Sequence, residues 1–113
     1  MTCKCPMIEI WDENTGDRCH VHVKGELDIS STPELRHHLE EVLARRGTRE
    51  IVVHLERTGY IDSTAVGALM SALRRARESG AELLLAGVEG GPARSMMDLA
   101  PLLNVFPIWD DNK

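Results

Sequence analysis

The segment Ile51-Val52-Val53-His54-Leu55 constrains the fold of this chain more than any other feature. It is a short β-branched run without polar alternation, as expected of a strand covered on both faces in a parallel sheet. A parallel neighbour needs a crossover connection, usually a helix, and amphipathic stripes stand on both sides of the run. Leu35, Leu39, Val42 and Leu43 fall at i, i+4, i+7 and i+8 before it, and Ala65, Leu69, Ala72, Leu73 and Ala76 form a second stripe after it. Ser30-Ser31-Thr32-Pro33-Glu34 opens the first helix with hydroxyl caps, a proline suited to the first helical position and an early carboxylate. Arg45-Arg46-Gly47 closes it, and Ser79-Gly80 ends the second.

Strands fill the rest. Met7 to Trp11 reads as an opening strand, closed by the turn-rich stretch Asp12 to Asp17. From Arg18 to Lys24 the alternation is clean, with Cys19, Val21 and Val23 on one face and His20, His22 and Lys24 on the other. Gly25 to Ile29 continues extended, Glu56 to Tyr60 reads as a loop, and Glu82 to Gly87 repeats the buried-strand pattern. Pro92 to Leu99 suggests a third helix, and Val105 to Trp109 a last strand that Pro107 places at a sheet edge. The fold class is α/β, a mixed sheet with parallel central strands and helices packed on it. One domain is expected over residues 1–113, with 1–6 as a frayed terminus.

Charge and composition exclude several functions. Eighteen acidic against thirteen basic residues leave a net charge of -5, without the clustered Lys/Arg footprint that phosphate contacts need, so no direct nucleic-acid binding is expected. No apolar run approaches the roughly 20 residues of a membrane span, and Met1 to Pro6 lacks the apolar stretch of a signal peptide. A cytoplasmic protein without membrane insertion is the expectation. Cys3, Cys5 and Cys19 with His20 and His22 form a conceivable zinc set, but C-x-C followed by a gap is weaker than a C-x2-C knuckle. The expectation is a frayed terminus, one buried thiol and no metal site. His37 and His38 are helix neighbours that point apart, and His54 reads as a strand-end histidine satisfied locally. The usual nucleotide, zinc-protease and serine-hydrolase signatures are absent, so neither a catalytic residue nor a cofactor is assigned.

The stretch that carries chemistry is Asp62-Ser63-Thr64, where a buried strand hands over to a helix. In open α/β sheets ligands and partners meet the fold at this kind of edge. Two readings compete: Asp62 and Ser63 as N-cap residues, or Ser63 as a phosphoryl acceptor whose added charge of about -1.5 to -2 a helix start tolerates. A nucleotide or small anion at the same helix start is a further alternative.

Two separated motifs resemble those of the STAS domain family, and within it the bacterial anti-sigma factor antagonists. Gly25-Glu26-Leu27-Asp28, followed by the Thr32-Pro33-Glu34-Leu35 helix start, is similar to the family's G-E-L-D. Asp62-Ser63-Thr64-Ala65-Val66-Gly67 resembles its D-S-[ST]-G-[LV]-G. The resemblance spans about Val21 to Trp109. It implies a protein-interaction module whose Ser63, with Thr64 as the alternative, is phosphorylated by an anti-sigma factor with serine kinase activity. The unphosphorylated form would sequester that anti-sigma factor and free a sigma factor, and a serine phosphatase would reset the switch. Asp28, Asp62, Ser63, Thr64, Val66 and Gly67 would form the partner-binding set, and ATP and Mg2+ would belong to the kinase. A STAS subunit of a stress-signalling or lipid-transport complex is the rival within the fold. The chain departs from the pattern with Ala65 in place of glycine and with His54 where the family often has aspartate.

Overall fold

The computed structural model describes residues 8–87 and Pro107. The expected third helix, Cys3 and Cys5, and all of the expected last strand except Pro107 lie outside the described residues.

The first two strands form a hairpin. β1 (Ile8–Thr15) runs antiparallel to β2 (Arg18–Leu27), in register from Ile8 opposite Gly25 to Thr15 opposite Arg18. The turn is therefore only Gly16-Asp17, not the whole stretch from Asp12. Asp12 to Thr15 keep extended geometry because β2 supplies each with a ladder partner, which outweighs the low strand propensity of Asp and Asn. After α1 (Thr32–Leu43) the chain enters β3 (Glu50–Ile61), then α2 (Ser63–Glu78) and β4 (Glu82–Ala86). The sheet order is β1-β2-β3-β4, with β2, β3 and β4 mutually parallel. On its far side β4 also donates the Leu85 amide to the Pro107 carbonyl at 3.0 Å.

Alternation sorts the sheet into two faces. Cys19, Val21, Val23, Ile51, Val53, Leu83 and Leu85 share one buried cluster with Leu35, Leu39 and Val42 of α1 and Leu69, Leu73 and Ala76 of α2. Both helices thus cover the same face, and each fully buried leucine contributes about 1.5 to 3 kcal/mol. Leu43, at the margin of the first stripe, is only half-buried. Trp11, His20, His22, Val52, His54 and Leu84 lie on the opposite face by strand register.

The expected loop Glu56 to Tyr60 is strand. Twelve residues of β3 run beside the ten of β2, and the surplus is absorbed at two register shifts, between His22 and Lys24 and between Gly25 and Glu26. Each shift places one extra residue in β3, as a β-bulge does, and breaks the alternation by which a strand is recognised. Thr58 between them is fully buried and donates its hydroxyl to the Val23 carbonyl at 3.3 Å.

Candidate functional site

Because β2 and β3 are parallel, their C-terminal ends reach the same edge of the sheet, with Leu27 opposite Ile61. Gly25 has φ 121, a conformation L side chains avoid, and sits at the second register shift. Beyond Leu27, Asp28 builds the turn into α1. Its Oδ1 accepts from the amides of Ser30 at 2.9 Å and Ser31 at 3.1 Å, and its carbonyl accepts from the Thr32 amide and hydroxyl. The Ser31 hydroxyl donates to the Glu26 carbonyl at 2.6 Å instead of capping α1. Asp28 is thus held as a turn former, with its carboxylate engaged by backbone amides.

At the end of β3 the Asp62 amide donates to the Leu27 carbonyl at 3.1 Å. Asp62 is the N-cap of α2: it has extended backbone, and its Oδ1 accepts from the Ala65 amide at 3.1 Å. The helix start therefore does not draw on the Ser63 hydroxyl for its cap. Ser63 is exposed, Thr64 is half-buried, and no acidic residue occupies the first turn of α2. Ala65 is fully buried, packs into the core and does not take a positive φ, so this turn does not require the family's glycine. Val66 departs from the expected partner-binding set: it is buried and belongs to the core cluster. Gly67 is exposed, and a Cβ built on it would meet nothing within 4 Å.

Two further residues at this edge lie outside the motif positions. Ile29, at the tip of the Asp28 turn, is 71% exposed, and Tyr60, two residues before Asp62, is 38% exposed. They are the exposed large hydrophobics among the described residues. The sequence places Ile29 in extended strand and Tyr60 in a loop; the signal that marks them is bulk apolar character beside both motif turns. Along α2 a shallow groove of about 500 Å3 includes Gly67, Met70, Arg74 and Arg77 in its lining.

The hairpin is tied to α1 on the helix-covered face. The guanidinium of Arg45 forks onto Asp12, Nη1 to Oδ1 at 3.3 Å and Nη2 to Oδ2 at 3.1 Å, while His38 Nε2 meets Oδ2 at 2.6 Å. The Arg45 hydrogen bond, aided by His38 and opposed by burial, holds the Asp12 carboxyl below its ordinary value. His37 instead faces Glu41, so the two helix histidines point apart. Cys19 is buried beside Arg45, and burial pushes its thiol up.

On the other face His20 Nδ1 lies 2.8 Å from His54 Nε2, and His22 stacks on His54 at 4.5 Å between centroids. Trp11 covers His22 at 5.4 Å. Burial pushes the His54 ring down from its ordinary value, against the pull of Glu56. Cys19 points to the opposite face from His20 and His22, so it cannot join them in the conceivable zinc set.

The comparisons agree with this architecture. The family model described as "Mlab, STAS domain" matches residues 11–105. An anti-sigma F factor antagonist of Paenibacillus polymyxa is 26% identical over 91 residues, 80% of this chain and 77% of that protein. An anti-sigma-B factor antagonist of Staphylococcus aureus is 42% identical over 71 residues, 60% of this chain and 62% of that protein. In structure, the unphosphorylated anti-sigma factor antagonist SpoIIAA superposes with a TM-score of 0.74 at 17% identity, covering 92% of this chain and 90% of that one. The phosphorylated Bacillus form gives 0.66 at 18%, covering 92% and 94%. The structural likeness shows a shared fold, the family match spans most of the sequence, and the chain belongs to the STAS domain family.

Proposed function

We propose that this protein is an anti-sigma factor antagonist, a binding module rather than an enzyme, switched by phosphorylation of Ser63. The observation that carries this reading is that Ser63 is exposed at the start of a helix already capped by Asp62. Its hydroxyl is therefore available without unravelling α2, and a phosphate there would face the positive end of the helix. Exposed Ile29 and Tyr60 at the same edge supply the apolar contacts of a partner surface, and Gly67 allows close approach along α2. Curated relatives named anti-sigma factor antagonists support the class of partner.

In this reading the partner is an anti-sigma factor with serine kinase activity, which brings ATP and Mg2+, and a serine phosphatase restores the hydroxyl. The unphosphorylated domain in the cytoplasm holds the anti-sigma factor and frees the sigma factor. A dianion on Ser63 would be desolvated inside that interface and drive the pair apart. Thr64, half-buried, is the less accessible acceptor.

The test is to incubate the protein with its cognate anti-sigma factor and Mg-ATP and to map phosphate by mass spectrometry while following the complex by size-exclusion chromatography. Phosphate on Ser63 with loss of the complex is expected. Phosphate on Thr64 alone, or a complex that survives stoichiometric Ser63 phosphorylation, overturns the proposal.

A further inference from the structure

The face of the sheet opposite the helices gathers imidazoles in a way no sequence spacing shows. His22 and His54 are direct partners across the parallel pair β2 and β3, so the backbone register itself stacks their rings. Glu56 follows at the first register shift. One ligand atom from each of His22, His54 and Glu56 lies within 4.8 Å of the other two. Against the sequence expectation of no metal site, we infer that His22, His54 and Glu56 form a binding site for a divalent transition-metal ion of the zinc class, independent of the Ser63 edge.

The donor set suits that ion. The two imidazole nitrogens are borderline donors that favour Zn2+ over Mg2+ or Ca2+, the carboxylate oxygen is a hard donor zinc also accepts, and three protein ligands leave a position for water. His54 Nδ1 is 3.6 Å from Glu56 Oε1, while its Nε2 is 2.8 Å from His20 Nδ1. With Nδ1 on the metal, Nε2-H donates to His20, the kind of outer hydrogen bond that fixes the tautomer and orientation of a ligating histidine. His22 Nε2 is buried without a hydrogen-bond partner among the described residues, its nearest carboxylate being Glu13 Oε1 at 3.9 Å. A metal bond would satisfy it; left unmet, such a buried polar atom costs free energy.

Glu56 has room to move into place because residue 87 is glycine. A Cβ built on Gly87, which has φ 76, would lie 2.7 Å from the Glu56 amide nitrogen and would also strike its carboxylate. Tetrahedral zinc with bonds of about 2.0 to 2.1 Å sets its donors about 3.4 Å apart, a spacing the 3.6 Å between His54 Nδ1 and Glu56 Oε1 nearly meets, so small side-chain shifts close the set. Glu56 is exposed, and the rings of His22 and His54, stacked at an interplanar angle of 12°, must tilt apart for both lone pairs to meet one ion.

The experiment uses the full chain carrying Cys3→Ser and Cys5→Ser, which removes competing thiols, titrated with ZnCl2 against a chromogenic chelator. Binding of one equivalent at micromolar or lower Kd is expected. His22→Gln, His54→Gln and Glu56→Gln should each weaken it by at least about tenfold. His37→Gln, on the exposed face of α1, should leave it unchanged. His54 is half-buried and its replacement can disturb the fold, so the histidine ring nitrogens of the unsubstituted sites are also followed by NMR during the titration. Zinc should shift His22 and His54 together while His37 stays in place. No uptake of zinc, undiminished affinity in folded His22→Gln, or unmoved His22 and His54 resonances overturns the site.

Discussion

The Asp62 amide is hydrogen-bonded to the Leu27 carbonyl, and this bond joins the end of β2 to the cap of α2. The two motif segments, separated by more than thirty residues in sequence, therefore meet as one unit of backbone. Asp28 continues from Leu27 into a turn that presents Ile29, while Asp62 hands over to Ser63.

Charge at residue 63 should control binding. Ser63→Ala keeps the anti-sigma factor bound and resists release by kinase and Mg-ATP. Ser63→Asp, measured by calorimetry, weakens the complex by at least about 1.4 kcal/mol, a tenfold change in affinity. Thr64→Ala serves as the control for the acceptor and still takes up phosphate on Ser63. Equal affinity of Ser63→Asp and wild type would remove the electrostatic release mechanism.

Capping and switching should separate by mutation. Asp62→Ala removes the side-chain acceptor for the Ala65 amide and costs about 0.5 to 2 kcal/mol in urea unfolding. Ser63→Ala stays within about 0.5 kcal/mol of wild type, as an exposed substitution should. The reverse order would make Ser63 the cap.

Leu69 is fully buried between α2 and the sheet. Leu69→Ala should cost about 2 to 5 kcal/mol, read from the shift of the urea midpoint at constant slope. A cost below about 0.5 kcal/mol would place the side chain at the surface.

Acid should act through Asp12. Its carboxyl is held below the ordinary value of 3.8 by Arg45, with His38 also facing it and the Cys19 thiol packed nearby. A depressed carboxylate contributes stability that is present above its unfolded-state pKa and is lost as pH falls through the folded-state value. The stability difference between wild type and Asp12→Asn is therefore larger at about pH 5 than at about pH 3. Urea unfolding at the two values checks this, and parallel losses in both proteins would uncouple the Asp12 pair from acid sensitivity.

Much of the frame was legible because it rests on local periodicity. Ile51 to Leu55, the Leu35 and Leu69 stripes and the Cys19/Val21/Val23 alternation all lie where the pattern places them. What the pattern misses is pairing. Asp12 to Thr15 look like turn residues until β2 is laid beside them, and Glu56 to Tyr60 look like a loop because two bulges interrupt their alternation. The same holds at the sites. Asp62 and Ser63 are visible as a strand-to-helix handover, but the choice of Asp62 as the cap is a matter of geometry. The meeting of His22 with His54 depends on register between strands far apart in sequence.

The two bulges of β3 act on side-chain direction as two half-turns. One extra residue inverts which face every later side chain points to, and a second restores the original sense. Ile61 consequently looks toward the helices as Ile51 and Val53 do, while Thr58, between the bulges, reaches that face out of step. Parity thus separates the part of the strand that holds His54 from the part that delivers Asp62. Loss of a single residue from this stretch would turn the remainder of the strand over, whereas loss of one residue at each bulge would shorten it and leave the facing of Ile61 intact.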